Sequence, residues 1–474
     1  MFKKIIRNTY FHITIILFIS LLIRIVLISK SGPKIDNDTP LYLEQIYNLY
    51  DGKGFCIEDY VDNKLKPTAY RAPLFQYLSV LISKTLNIKK ENIILVIGWM
   101  NFTFSILTVL LSMIIAYIMT KQKKIYILTG YITAINLNLI YNSVLVLTDT
   151  TFAFVIGIFI LITTLSLKHQ SKKYLFLISG VVLGLSVMTR TITKFYFLIH
   201  IIFLFFILNH NKSEKIKIIS IFLLGYLSII SPWIIRNYQK LDFLGIETNQ
   251  GLNTIWSVSN LVEIKKNDYK DKEIYEIKKI IIEDRKNHPW PMGAEIEARK
   301  KLKLTEVESS KYFQKIGMET ILTHPFEFFK IFIRNLMNNI TSSTSEIKLI
   351  DLFYPGYYDK QHNIMTKFEN IENPHQDKKI YIKDILMILP NFIFRIIHLM
   401  IFFISIYGAY LLFKKDRISS IFISIFILYL LTLTSAVASY DRYRLPFGIL
   451  LCLLVSYAAV NLFKKPDTLD NREQ

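Results

Sequence analysis

The stretch FHITIILFISLLIRIVLISKSGPKIDNDTPLYLEQ, residues 11–45, passes without pause from membrane-grade apolar sequence into a polar segment that presents Asp36 and Asp38, with Tyr42 four positions beyond the second. The apolar part, Phe11 to about Ile28, is long enough to cross a hydrocarbon core. It follows Lys3, Lys4 and Arg7, as a signal peptide would. No small-residue cleavage pattern precedes Asp36, so the reading is a retained first span.

Composition agrees. Of 474 residues, 52% are hydrophobic, with 34 Phe against only 16 Gly, beyond the apolar share of an ordinary soluble chain. The formal charge of +20 would suggest nucleic acid in a soluble protein. Here the basic residues fall in short clusters between apolar runs, which speaks for topology and membrane lipids and against a nucleic-acid partner. Cys56 and Cys452 are the only cysteines and sit in unlike surroundings, so neither a disulfide framework nor a cysteine metal site is indicated.

Further spans are expected at Ile93–Met119, Ile125–Tyr141, Thr150–Leu167, Tyr174–Met188, Phe195–Leu208, Ile218–Ile235, Leu386–Phe413, Ile418–Leu433 and Leu445–Leu462, ten in all with the first. The clusters Lys3/Lys4/Arg7, Lys121/Lys123/Lys124, Lys168/Lys172/Lys173, Lys212/Lys215/Lys217, Lys414/Lys415/Arg417 and Lys464/Lys465 then share one side, cytoplasmic by the positive-inside rule. The alternation requires that Leu74–Leu86 does not cross alone. Residues 74–86 read as an interfacial or re-entrant helix and 326–340 as a helix lying against the membrane, and a crossing by either would raise the count above ten. The expected organisation is a transmembrane catalytic module at 1–236 with an outer loop at 31–92, an extracytoplasmic helical region at 237–384, and C-terminal spans at 385–474. Within the middle region the charged stretch Lys265–Lys315 reads mainly as a solvated helix surface. Gly180 and Gly184, a GxxxG pair, read as a packing contact between spans.

One set of charges defies the topology. Arg71, Arg190, Arg236, Arg442 and Arg444 all fall at the outer boundary, where basic residues are not favoured, together with Asp38 and Asp149. A guanidinium fork suits phosphate oxygens, so arginines gathered there fit a lipid-linked phosphate or pyrophosphate. HExxH, P-loop and dinucleotide fingerprints are missing, which weighs against a zinc protease, an ATPase or a nicotinamide enzyme.

Chemistry on the far side of a membrane needs an activated group carried on lipid, and a polyprenyl-phosphate sugar donor meets that need. An acceptor hydroxyl attacking the anomeric carbon requires a base, for which Asp38 is the first choice. The arginines would stabilise charge growing on the departing phosphate. Asp149 has two readings, a second carboxylate steadying the sugar or a helix N-cap. Asp36 and Asp38 leave a divalent cation open, but two neighbouring loop carboxylates commonly face solvent, and no metal is assigned.

These residues carry a family resemblance. Asp38, Tyr42, Gly52 and Gly54, then YRAPLF with Arg71, the acidic Asp149 leading a span, Arg190 at the end of GLSVMTR, PWxxRNY with Pro232, Trp233, Arg236, Asn237 and Tyr238, the Gly251, Asn253, Trp256 and Asn260 element, and RYRLPF with Arg442 and Arg444 follow one another in order. The chain thereby resembles the dolichyl-phosphate-mannose-protein mannosyltransferase-like and aminoarabinose transferase-like membrane glycosyltransferases. The resemblance implies an all-α polytopic membrane protein with the GT-C glycosyltransferase fold and extracytoplasmic loops. It further implies transfer from a polyprenyl-phosphate sugar to a glycan, lipid or protein acceptor, Asp38 as catalytic base, and substrate contacts from Tyr42, Arg71, Arg190, Arg236, Asn237, Arg442 and Arg444. Two departures are Thr39-Pro40 after Asp38, where many members carry an acidic residue or serine, and the lack of the soluble acceptor-binding modules of eukaryotic relatives.

A lipid-pyrophosphate-dependent oligosaccharide ligase and a transporter of an anionic lipid are the competing functions. The second would call for internal repeats and mid-span charges. His288 in NHPWP reads as a turn, and Asp441 as a counterion for the late arginines. Low glycine with abundant Ile, Lys and Asn points to a bacterial plasma membrane with the site facing outward.

Overall fold

The computed structural model describes residues 2–284, 292–361 and 382–462. His288, Lys464 and Lys465 lie outside them. The long apolar helices are α1 (Phe2–Ser31), α4 (Ile93–Thr120), α7 (Asp149–Lys168), α10 (Lys212–Leu241), α17 (Ile382–Lys415), α18 (Arg417–Val437) and α19 (Leu445–Leu462). Among the described residues these are the seven long and apolar enough to cross a membrane. Two shorter apolar helices, α8 (Lys173–Thr189) and α9 (Tyr196–Ile207), correspond to two further expected spans. The expected division at 236 falls inside α10, which runs on to Leu241.

The expected span Ile125–Tyr141 is not one helix. It breaks into α5 (Lys123–Ala134) and α6 (Leu137–Asn142) at Asn136, whose extended backbone and side chain, accepting from the Leu139 amide at 3.0 Å, make it an N-cap. A break at this depth survives only where protein satisfies the freed backbone groups. Arg24, fully buried in α1, does so: it donates to the Ala134 carbonyl at 3.2 Å and to Ser20 and Ser105 hydroxyls at 2.8 and 2.7 Å. The pairing of α8 with α10 follows the small-residue reading, since a Cβ on Gly180 would lie 2.0 Å from the Phe222 carbonyl oxygen.

The polar intervals gather at one end. The first outer loop holds α2 (Thr39–Tyr50), the hairpin of β1 (Cys56–Glu58) with β2 (Leu65–Pro67), and α3 (Leu74–Thr85), whose 12 residues span roughly 18 Å at 1.5 Å per residue, short of a crossing. The second holds α11 (Gln250–Trp256), α12 (Lys272–Asp284), α13 (Met292–Leu302), α14 (Glu306–Thr323), α15 (Pro325–Thr341) and α16 (Thr344–Phe353). On α15, Phe326, Phe329, Ile333 and Met337 are exposed while Asn335 and Asn339 are buried, the pattern of a helix with one apolar outer face.

Most charges of the stretch Lys265–Lys315 do lie at the surface, among them Lys272, Glu273, Glu297, Lys300, Lys303 and Lys311, but its other face is a core that the charge pattern did not announce. Ile274, Ile277, Ile281, Ala294, Ala298 and Phe313 form a second apolar core with Leu41 and Tyr70 of the first loop. A few of its charges are buried with partners: Lys278 pairs with Asp268 at 3.0 Å, Arg299 with Asp59 at 3.3 Å, and Glu306 accepts from Thr68 at 2.6 Å. Charged side chains at helical spacing thus tie the two outer loops together.

Candidate active site

The first loop is fixed to the head of α7 before any catalytic side chain is considered. Lys34 forms a parallel bridge with Leu145, donating to the Val144 carbonyl at 2.7 Å and accepting from the Val146 amide at 2.9 Å. Thr39 Oγ1 donates to the Val146 carbonyl at 3.1 Å, and Asn101 on α4 donates to the Leu145 and Leu147 carbonyls at 2.8 and 2.9 Å. Asp38 and Asp149 are thereby carried by one braced unit.

Asp38 occupies the N-cap position of α2, where an aspartate ordinarily accepts a backbone amide. Its side chain makes no such bond. One carboxylate oxygen accepts from Arg71 at 3.0 Å and the other from Arg442 at 2.9 Å. The Arg71 guanidinium lies 5.5 Å from the Tyr42 ring and 5.6 Å from the Tyr70 ring, and that of Arg442 lies 5.0 Å from Tyr440, so aromatic faces shape the cluster. Beside it, Arg190 donates to Asp149, which is buried at the first position of α7, and packs 5.6 Å from the Tyr443 ring. The N-cap of α7 is Thr148, so the capping alternative for Asp149 does not hold.

Burial alone would raise the Asp38 carboxyl. The charges of Arg71 and Arg442, the hydrogen bond from Arg442 and the more distant charge of Arg190 outweigh it and hold the group at about 2. Asp38 at rest is therefore ionised and a weak base.

The cluster opens into a cavity of about 1220 Å3 lined by Asp36, Asp38, Tyr42, Arg71, Asp149, Arg190 and Arg442 among others. Its further ionisable lining residues include Lys194, Glu247, Lys348 and Asp441. Cations and anions in this wall match in number, so an incoming anion has to compete with a carboxylate for its guanidiniums.

Three expected site residues are elsewhere. Arg236 donates to the Thr68 and Phe55 carbonyls at 2.6 and 2.7 Å and stacks 4.8 Å from the Trp233 ring. Asn237, fully buried, donates to the Gly245 and Ile246 carbonyls at 2.8 and 3.2 Å. Arg444 donates to the Ile340 carbonyl at 2.9 Å and the Ser342 carbonyl at 2.5 Å, close to Glu346. None of the three lines the cavity; each secures loop backbone, because a guanidinium or amide serves exposed carbonyls as readily as phosphate. Asp441 makes no salt bridge to the arginines among the described residues, its carboxylate accepting the Ser345 and Arg442 amides, but its charge acts on Arg444 as a counterion's would.

Glu247 and Lys194 went unnoticed in the sequence, as did Asn142 and Lys348. Glu247 stands four residues before Gly251 of the noted Gly-Asn-Trp element, the one signal that could have marked it. Both Asp38 oxygens are taken by guanidiniums, Asp36 Oδ1 accepts the Asn37 amide at 2.8 Å, and no group of three or more candidate ligands gathers among the described residues.

No protein-family model and no curated protein matches the sequence. Solved structures do. The archaeal oligosaccharyltransferase AglB from Archaeoglobus fulgidus, in complex with an inhibitory peptide and a dolichol-phosphate, aligns with TM-score 0.51 at 13% identity over 96% of this chain and 51% of its own. The same enzyme tethered to an acceptor peptide gives TM-score 0.50 at 12% identity, over 96% and 50%. ArnT from Cupriavidus metallidurans bound to undecaprenyl phosphate is more distant, with TM-score 0.37 at 9% identity over 94% and 77%. The chain spans about half the length of the oligosaccharyltransferase. At such identity the likeness is one of architecture: the protein is a multi-span, all-α membrane protein with the GT-C fold.

Proposed function

We propose that this chain transfers a glycosyl unit from a polyprenyl-phosphate-linked donor to an acceptor hydroxyl, in a bacterial plasma membrane with the cavity facing outward. The observation that carries the reading is the hold of Arg71 and Arg442 on a single carboxylate within a large cavity. The dolichol-phosphate complex of the oligosaccharyltransferase with the same architecture supports a lipid phosphate as ligand.

A donor phosphate draws the Arg71 and Arg442 guanidiniums from Asp38 to its own oxygens, which suit the planar fork. Losing those partners, Asp38 keeps the burial that raises its pKa and becomes a stronger base. It takes the proton of the acceptor hydroxyl as that oxygen bonds to the anomeric carbon. The bond between that carbon and the phosphate oxygen breaks, its electron pair leaves with the phosphate, and the arginines stabilise the charge formed. Asp149 acts here by aiming Arg190, its ion-pair partner.

The test is release of undecaprenyl phosphate from undecaprenyl-phosphate hexoses and pentoses by the purified chain in nanodiscs, with extracted envelope glycans, lipids and proteins as acceptors. Turnover only of pyrophosphate-linked oligosaccharide would favour the ligase, and release from neither donor class would end the transferase reading.

A further inference from the structure

One wall of the cavity has no part in the steps above. It is built by ETNQGLNTIW, Glu247 to Trp256. The Thr248 amide donates to the Ala69 carbonyl at 2.9 Å, two residues from Arg71, while Thr191, next to Arg190, donates its hydroxyl to Glu247 Oε1. Glu247 therefore stands between the segments that deliver two of the guanidiniums. It is 7% exposed, and its second oxygen accepts no hydrogen bond among the described residues, although the charges of Lys194 and Arg71 act on the carboxylate from nearby. Because Glu247 lines the cavity, that oxygen is placed to accept from a hydroxyl that enters.

On the same wall Asn253 and Trp256 are half-buried and line the cavity. The Asn253 side-chain amide makes no hydrogen bond among the described residues, while its backbone N–H donates to the Asn249 carbonyl at 3.0 Å. Carboxylate, amide and indole are complementary to a saccharide: the first accepts from paired hydroxyls, the second both donates and accepts, and the third covers the apolar C–H face of the ring. A sugar one bond from a phosphate held by Arg71 and Arg442 shares the cavity with this wall.

We propose that Glu247, Asn253 and Trp256 form the saccharide subsite of the donor, with the second oxygen of Glu247 selecting the sugar through its hydroxyls. The inference rests on the transferase reading and adds to it the group that recognises what is transferred.

The experiment compares binding of bare undecaprenyl phosphate with that of undecaprenyl phosphate linked to glucose, mannose, galactose or arabinose, by the purified chain in nanodiscs. Wild type binds at least one sugar-bearing lipid at least tenfold more tightly than the bare lipid. Glu247→Gln, which preserves shape and the bond from Thr191, removes that increment and leaves the affinity for bare undecaprenyl phosphate within twofold. Trp256→Ala, on the cavity wall, does the same and guards against misfolding of the first variant. Equal binding of all the lipids by wild type, or an increment retained in both variants, overturns the subsite while the transferase reading stands. A rise in acceptor KM with the donor increment intact also overturns it, assigning the wall to acceptor. Failure of wild type to bind any of these lipids removes the transferase reading, and the subsite with it.

Discussion

Arg442 reaches Asp38 across 404 positions of the chain and donates to its carboxylate at 2.9 Å. With Arg71 on the other oxygen, the clamp joins the first outer loop to the entry of the last helix. Asp38 is consequently both the proposed base and the group that holds the two arginines proposed to bind phosphate.

Asp38→Asn is expected to lower kcat by about 10²–10⁴, the span usual for loss of a general base. Because the amide is neutral, Arg71 and Arg442 are freer for phosphate, and undecaprenyl phosphate should bind the variant as tightly as wild type or more so. Single-turnover transfer and lipid binding measured side by side check this; undiminished turnover would remove Asp38 from the role of base.

Arg442→Ala and Arg71→Ala each delete a charge-assisted donor, a loss on the order of 1.5–3 kcal/mol, equivalent to roughly 10- to 150-fold in affinity for the lipid phosphate. Titration of undecaprenyl phosphate into nanodiscs provides the readout. Wild-type affinity in both variants would contradict the phosphate assignment.

The pH dependence has a definite sign. Asp38 in the free protein is held at about 2, so kcat/KM should show no acid limb from this group above pH 4. Once phosphate takes the arginines, burial raises the carboxyl, and the acid limb of kcat should lie at higher pH than that of kcat/KM. Rate profiles under saturating and limiting donor separate the two, and coincident limbs would count against release of the clamp.

Glu295, on α13, donates nothing to the site but titrates where stability can be read. Burial raises it from 4.5 to about 7, Glu306 adds to the rise, and Arg299, Tyr70 and Ser309 oppose it. Its folded-state pKa exceeds its unfolded value, so the protonated form is favoured by folding. That stabilisation is present in full below pH 4.5 and is lost as pH rises to about 7, a change on the order of 3 kcal/mol. Glu295→Gln should flatten the fall in Tm between pH 5 and 7.5; an unchanged slope would show that the outer core does not sense this group.

Arg236→Ala should lower Tm by several degrees, because it strands the Thr68 carbonyl and leaves the Phe55 carbonyl with only the Thr68 amide at 3.2 Å, while changing the affinity for bare undecaprenyl phosphate less than twofold. Thermal unfolding and lipid titration of the same preparation distinguish this from a direct phosphate contact.

Much of the architecture was legible because hydrocarbon thickness is a one-dimensional constraint, and apolar run length with basic flanks expresses it directly. The break at Asn136 was not, because a single asparagine in an apolar run becomes a helix start only when a donor such as Arg24, 110 residues away, meets the freed carbonyl. Among the boundary arginines, Arg71, Arg190 and Arg442 face the cavity while Arg236 and Arg444 hold backbone, a distinction set by which loop passes over each fork. Glu247 was hidden by company: acidic residues are common in the outer stretch, and only the fold reveals that this one is enclosed.

The hold of Arg24 on the broken helix bears on how the protein is made. Its partners at Ser105 and Ala134 emerge from the ribosome 81 and 110 residues after it. Until then the first hydrophobic segment carries a charge that costs about 2.5–3.5 kcal/mol at the centre of a bilayer. Ser20, four residues before it, is the one partner that accompanies Arg24 from the start, so the set that holds this guanidinium is complete only once the α5–α6 junction has been translated.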